Sequence, residues 1–218
     1  MALQDYQIRL LELAMRTQAL QFGEFTLKSG RRAPYFFNTG RICSGRDLDE
    51  LGLCYAGWLA RAPVEFDALF GPAYKGISIA VAAGAALARV HGRDVGVTFN
   101  RKEAKAHGEG GLFVGSPLTR RMMMVDDVIT DGAAKIEAAG LIRDGGGELA
   151  GILVALDRQE RGKDSPRSSV QDVSARLGVP IYSLITLADL LTWLEQQGRA
   201  ADLAAVRAYR NEYGAVAD

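Results

Sequence analysis

Apolar positions between residues 5 and 20 recur at helical spacing, with Ile8, Leu11 and Met15 on one stripe, and predict an amphipathic helix. Two short β-like runs bounded by Gly and Pro follow, "GEFTLKSG" and "APYFFNTG". From residue 64 the pattern changes. Strand-like "VEFDALFG", "DVGVTFN", "RRMMMVDD", "ELAGILVALD" and "VPIYSLIT" are interleaved with helix-like "GISIAVAAGAALARVHG", "AAKIEAAGLIRDGGG" and "VQDVSARLG". Such interleaving implies βαβ units and a mostly parallel sheet, hence an α/β fold. "LADLLTWLEQQG" and "ADLAAVRAYRNEYG" predict two closing helices.

Composition narrows the class. The 218 residues are 48% hydrophobic and 24% charged, which suits one large domain or a domain with a small appendage. Lysine and arginine total 26, as do aspartate and glutamate, so the net charge is zero and no whole-molecule field attracts nucleic acid or acidic lipid. Any anion binding must be local. Cys43 and Cys54 show no metal spacing, and each is expected to be a buried free thiol in a reducing cytoplasm. The N-terminal residues carry charge throughout, without an export pattern, and no apolar run reaches membrane-spanning length.

Ligands of open parallel sheets gather at the carboxyl ends of the strands. Three such ends are unusual here. In "FGPAYKGIS", Lys75 stands at a helix N-terminus, where a cation is misplaced unless an anion joins it; the alternative is a solvated surface lysine. Residues 100–115, "FNRKEAKAHGEGGLFVG" with its flanking Phe, read as a long charged loop, either merely solvated or mobile when empty and able to close over a polyanion. The third end is "MMMVDDVITDGAAK". A buried strand ending in Asp126 and Asp127 is costly, since each carboxylate loses hydration and the two repel. Beside the anion-binding nest of a Gly-containing turn, the pair suits sugar hydroxyls or a hydrated divalent cation, and a phosphorylated sugar offers hydroxyls and phosphate at the right separation; one Asp capping the helix with the other solvated is the structural alternative.

"MVDDVITDGAA" resembles the phosphoribosyl pyrophosphate motif of the type I phosphoribosyltransferases. With "FTLKSGRRAPYFFNTG", "FGPAYKGI", "FNRKEAKAHGEGG" and "LDRQERG" in the same order, nearly the whole chain is similar to the bacterial orotate phosphoribosyltransferase family. The resemblance implies a single phosphoribosyltransferase domain over 1–218, with 1–40 contributing a small hood over the base. It implies a cytoplasmic, magnesium-dependent homodimer that joins orotate to phosphoribosyl pyrophosphate in pyrimidine biosynthesis, with no nucleic-acid or membrane partner. Magnesium would be held mainly through substrate and water, with no metal-ligating residue assigned.

Carried over by motif, Lys28, Phe36 and Phe37 would border the orotate, the phenylalanines partly through their backbone, Thr130 its ring region, and Arg158 its carboxylate. Lys75 would meet the pyrophosphate, with Tyr74 beside it among the substrate-binding residues, and Asp126 and Asp127 the ribose hydroxyls. The turn Val128, Ile129, Thr130, Asp131, Gly132, Ala133 and Ala134 would cradle the 5-phosphate. Arg101, Lys102, Lys105 and His107 would close on the pyrophosphate from the neighbouring subunit. Lys105, His107, Asp126 and Asp127 would carry the chemistry, His107 either as a proton donor or by position alone. The turn departs from the family's Thr-Ala-Gly-Thr-Ala: Asp131 and Ala133 stand where a small residue and a hydroxyl are expected, with Asp131 a candidate N-cap. A non-catalytic regulator on the same fold is the rival from another class, disfavoured by the retained cationic loop and the neutral charge.

Overall fold

The computed structural model describes residues 2–27, 29–105, 111–118, 120–130, 132–162 and 165–216, with backbone only at Ala104 and Lys105. In chain order the elements are α1 (Asp5–Arg16), β1 (Leu20–Thr26), β2 (Arg32–Phe37), α2 (Gly45–Leu59), β3 (Ala68–Gly71), α3 (Lys75–His91), β4 (Gly96–Lys105) and β5 (Gly111–Gly115). They continue as β6 (Arg121–Val128), α4 (Ala133–Asp144), β7 (Glu148–Asp157), α5 (Ser169–Leu177), β8 (Ile181–Thr186), α6 (Leu187–Gln196) and α7 (Ala200–Tyr213).

The main sheet has the order β5-β4-β3-β6-β7-β8, parallel except for β5, which runs antiparallel to β4. β1 and β2 form a separate antiparallel hairpin. The α/β reading with a mostly parallel sheet therefore holds. From the central pair, β3-α3-β4 steps one way and β6-α4-β7 the other. The loops after β3 and β6 thus part from each other, which makes this the switch point of the sheet and opens a crevice at its carboxyl edge.

Alternation along β6 divides the core. Met123 and Val125 join a cluster with residues of α1, α2, α3, α6 and α7, whereas Met122 and Met124 pack with α4 and α5 on the other face. The chain enters α3 by a close turn: a Cβ on Gly71 would lie 2.2 Å from the Gly76 carbonyl oxygen, and one on Gly76 would lie 2.5 Å from Pro72 Cδ. Only glycine fits at either position.

Several element limits differ from the sequence reading. The first helix stops at Arg16, since the chain turns at Gln18 (φ 57°) and Leu20 already pairs with Phe37. Its buried face is Leu10, Leu11, Leu13 and Ala14. β3 starts at Ala68, and the side chain of Asp67 before it is engaged by the backbone N–H and guanidinium of Arg121. α2 was not read at all. The supposed loop from Asn100 to Gly115 is largely a β-hairpin, with β4 continuing to Lys105 and returning as β5. Cys54 is buried, and burial pushes its thiol up to about 12, but Cys43 is exposed, contrary to expectation. Among the described residues no helix is long and apolar enough to cross a membrane.

Candidate active site

Asp126 and Asp127 are both buried, 8% exposed, at the end of β6. Adjacent strand residues point to opposite faces, so the sheet itself separates the two carboxylates. Each meets a lysine from the helix on its own side. Asp126 pairs with the buried Lys135 of α4, and Asp127 Oδ2 lies 2.7 Å from Lys75 Nζ of α3. Two like charges in sequence are thus two separate ion pairs in space. Burial is the main cause that raises the Asp126 carboxyl above the usual carboxylate range, with the Lys135 charge opposing it. Asp126 Oδ1 accepts from Asp127 N at 2.9 Å, and Tyr55, from α2, donates its hydroxyl to the Asp126 carbonyl at 2.7 Å.

Lys135 was missed by the sequence reading. The signal that singled out Lys75, a cation in the first turn of a helix, applies to it equally.

The Asp127 pair is the more accessible one. Lys75 is half exposed, and its Nζ also donates to Asn38 Oδ1 at 3.2 Å. Thr39 Oγ1 lies 3.4 Å from Asp127 Oδ2. Asn38 and Thr39 follow β2, so the hairpin is tied to the strand ends at this point. A cavity of about 270 Å³ opens beside Lys75, between residues 39–43, α2 and α3; Asp126, Asp127 and Arg158 do not line it.

The turn after β6 leads through Ile129 and the exposed Thr130 to Gly132, the N-cap of α4, which has φ 77°. A Cβ there would stand 2.1 Å from Val173 Cγ2, so the backbone conformation and α5 both require glycine. Asp131, the candidate N-cap of the sequence reading, lies outside the described residues. Ala133 and Ala134 open the helix, both exposed. Their end of α4 carries the partial positive charge that suits a phosphate.

Arg158, just past β7, lies over the Tyr35 ring at 4.6 Å and is paired with Glu160. Phe36 and Phe37 alternate on β2: Phe36 is outward, stacked on Phe25 at 5.5 Å between ring centres, while Phe37 is buried in the core. Their side chains cannot both face one ligand.

Arg101 Nη1 donates to the Gly111 and Phe113 carbonyls at 3.1 and 3.3 Å, bracing the hairpin. Lys102 Nζ sits 5.3 Å from the ring centre of Tyr74 of the same chain, itself 69% exposed, and Asn100 Oδ1 accepts from Ala73 N at 3.0 Å. β4 thereby buttresses the loop that presents Lys75. Lys28, His107 and the Lys105 side chain lie outside the described residues. The structure thus groups Lys75, Asp126, Asp127, Thr130 and the start of α4 at the switch point, with Arg158 at the next strand end.

No family model matches the chain. It is 55% identical over 210 residues to an orotate phosphoribosyltransferase of Serratia proteamaculans, covering 96% of this chain and 98% of that protein. With the orotate phosphoribosyltransferase of Vibrio parahaemolyticus the identity is 54%, with the same coverage. Among solved structures, the orotate phosphoribosyltransferase of Francisella tularensis is similar with a TM-score of 0.85 and 34% identity, over 94% of this chain and 98% of that one. The Mycobacterium tuberculosis orotate phosphoribosyltransferase, solved in complex with 5-phospho-alpha-D-ribosyl 1-diphosphate, shares the fold with a TM-score of 0.60 at 22% identity, over 84% and 92% of the two chains.

Proposed function

The chain belongs to the orotate phosphoribosyltransferase family, and from that premise we infer that it transfers the 5-phosphoribosyl group of phosphoribosyl pyrophosphate to orotate, a step of pyrimidine biosynthesis. Its fold is the type I phosphoribosyltransferase fold. The observation that carries the reading is identity of 55% to such an enzyme over nearly the whole of both chains. A non-catalytic sensor on this fold is not favoured.

A ring nitrogen of orotate forms a bond to the anomeric carbon as the bond from that carbon to the pyrophosphate oxygen breaks, and the proton of that ring N–H passes to solvent or to the released pyrophosphate. Positive charge grows on the ribose, as in glycosyl transfer generally, and negative charge on the departing group. Preorganised cations lower this barrier most where charge develops. Lys75 suits the departing pyrophosphate. Its exposure lets it swing away from Asp127, whose carboxylate then turns to the ribose hydroxyls and the electron-poor sugar. Thr130 and the start of α4 receive the 5-phosphate and ring region. The hairpin β1–β2 serves as the hood over the base, with Asn38 and Thr39 linking it to the sugar site. Arg158 presents a planar fork to the carboxylate that distinguishes orotate from neutral bases.

The carboxylates at the strand end are already engaged by lysines, which fits a magnesium ion that arrives on the donor better than one resident on the protein. When bound, that ion supplies further positive charge to the pyrophosphate. Two unpaired cysteines agree with a cytoplasmic setting.

The direct test is the loss of orotate absorbance on mixing enzyme, phosphoribosyl pyrophosphate and magnesium, with uracil as the control base. Turnover of orotate and none of uracil is expected; no turnover of orotate would sink the reading.

The enzyme is further proposed to act as a homodimer whose loop around Lys105 and His107 enters the neighbouring site. Mixing inactive Lys105→Ala with inactive Asp127→Ala subunits should then restore activity, because some mixed dimers contain one intact site. Activity that stays at the level of the parents after proven subunit exchange would assign the loop to its own subunit, the side on which Lys102 already meets Tyr74.

A further inference from the structure

The loop from Asp157 to Ser168 is bound more firmly than a surface connection requires. Arg161 N donates to the Tyr213 carbonyl at 2.9 Å, Ala215 N to the Gln159 carbonyl at 2.8 Å, and Val216 N to the Pro166 carbonyl at 3.2 Å. The C-terminal segment thereby straps this loop. Gln159, at φ 51°, is pinned further by its own N–H on Asp157 Oδ1 and by its side-chain oxygen accepting from Ala188 N. From the β1–β2 turn, Arg31 donates to the carbonyls of Arg161 and Gly162 at 2.9 and 3.2 Å and lies over the Tyr213 ring at 5.0 Å.

At the centre is the Arg158–Glu160 pair. Arg158 Nε donates to Glu160 Oε1 at 2.7 Å. Arg158 Nη2 is buried and 2.6 Å from the same oxygen, an ion-pair contact out of hydrogen-bond geometry, so Glu160 takes the Nε–Nη2 edge of the guanidinium and the other Nη donors are left for a further acceptor. Glu160 Oε2 faces Arg31 Nη1 at 3.7 Å. Tyr35 underlies the guanidinium, and Tyr209 stands edge-on to Tyr35 at 6.2 Å between ring centres. Both hydroxyls are buried and out of hydrogen-bond geometry, but the Tyr209 hydroxyl lies close enough to Glu160 and Arg158 for both to act on its proton. Burial pushes the Tyr209 hydroxyl up to about 12, so it stays protonated at neutral pH.

Resting on the assignment of Arg158 to the orotate carboxylate, we propose that Glu160 is a positioning residue for that arginine. It anchors the Nε side of the guanidinium and turns the remaining Nη donors toward the base, while Arg31 and the C-terminal strap hold Glu160 in turn. The hood and the tail of the chain thus share in setting specificity for a carboxylated base. The sign of the effect separates this role from plain electrostatics. A carboxylate near an incoming carboxylate repels it, so removing the Glu160 charge would tighten orotate binding if charge were all that mattered. A lost anchor has the opposite effect, because a two-pronged carboxylate contact depends on the orientation of the fork.

The experiment is steady-state kinetics of the full chain, with thermal unfolding in parallel, for Glu160→Gln, Glu160→Asp and Arg158→Ala. The two Glu160 variants are expected to raise the KM for orotate about tenfold, the Asp variant because it keeps the charge but falls one methylene short. The KM for phosphoribosyl pyrophosphate and the Tm should change little. Arg158→Ala should raise the orotate KM further still. An Arg158→Ala enzyme with unchanged orotate KM would overturn the reading of Arg158 itself. A raised KM in Arg158→Ala, with an unchanged or lowered one in the Glu160 variants, would overturn the role of Glu160 alone. Should Glu160→Gln fail to fold, Glu160→Asp, which preserves the buried charge balance, carries the decision; a Tm loss without a KM change counts against positioning.

Discussion

Replacing Lys75 with alanine is expected to lower kcat by two to three orders of magnitude, while the KM for orotate changes least. Lys75 is the described cation nearest the switch point that is still free to move: its side chain is half exposed, and its Nζ is held by Asp127 and Asn38 at 2.7 and 3.2 Å. A unit charge about 4 Å from a developing anion contributes roughly 4 kcal/mol at an effective dielectric near 20. Loss of one preorganised donor in a closed site typically costs about 2.7 to 4 kcal/mol of transition-state stabilisation. The two figures agree on the size of the loss. Because the negative charge grows mainly as pyrophosphate departs, the loss belongs in kcat more than in binding. Lys75→Arg should recover only part of the activity, since a planar fork replaces a compact point charge in a turn already closed by Gly71 and Gly76. Steady-state kinetics with each substrate varied in turn decides it. A turnover number within a few-fold of the parent would remove Lys75 from the chemistry.

How far the site was legible depended on whether a residue's meaning was local. The glycines around β3 and α3, the strand ending in two aspartates and the alternation of strands with helices are all local patterns, and they led to the carboxyl edge of the sheet. What held Asp126 and Asp127 was not local. It needed the pleat, which sends them to opposite faces, and the opposite crossovers that bring α3 to one face and α4 to the other. Sequence reasoning therefore sought one ligand for both carboxylates, where the fold provides a lysine for each.

Helix α2 went unread because "GRDLDELG" is charged and glycine-bearing; its signals, the Ser44 cap on Asp47 N and the buried Leu51, Tyr55 and Leu59, are faint without α1 and α3, the helices it packs on. β5 was taken for the end of a loop because the run before it, Arg101–Lys105, is charged and lacks a strand pattern, while its partners are Thr98, Phe99 and Asn100, with Lys105 opposite Gly111 beyond an irregularity. Only cross-strand pairing makes both into strands. In "LDRQERG" the resemblance singled out Arg158 and left Glu160 and Arg161 without a role. The geometry separates them: Glu160 binds one side of Arg158, and the backbone at Arg161 is tied to the C-terminal tail.

The Asp126–Lys135 pair should show strong coupling in a double-mutant cycle. Both residues are buried, and neither charge has another ion-pair partner among the described residues. Asp126→Ala leaves an uncompensated buried ammonium and is expected to destabilise the fold by about 3 to 5 kcal/mol. Lys135→Met leaves a buried carboxylate with a similar cost at neutral pH. The double variant Asp126→Ala with Lys135→Met buries no charge, so its loss should be smaller than either single loss, because a buried pair exchanged for apolar groups is often close to neutral. The pH dependence has a definite sign. Burial already holds the Asp126 carboxyl above its usual range, against the pull of Lys135. A raised acid binds its proton more tightly in the folded state, so its contribution to stability is complete below the unfolded value, about 3.9, and is lost as pH rises through the folded value. Removing Lys135 raises the folded value further. The deficit of Lys135→Met relative to the parent should therefore be small in acid and grow as pH rises past the unfolded carboxyl range, whereas the double variant should show no such growth. Urea unfolding of the four proteins across that range measures both effects. Additive losses in the cycle, or a Lys135→Met deficit independent of pH, would mean that the two buried charges are stabilised by something other than each other.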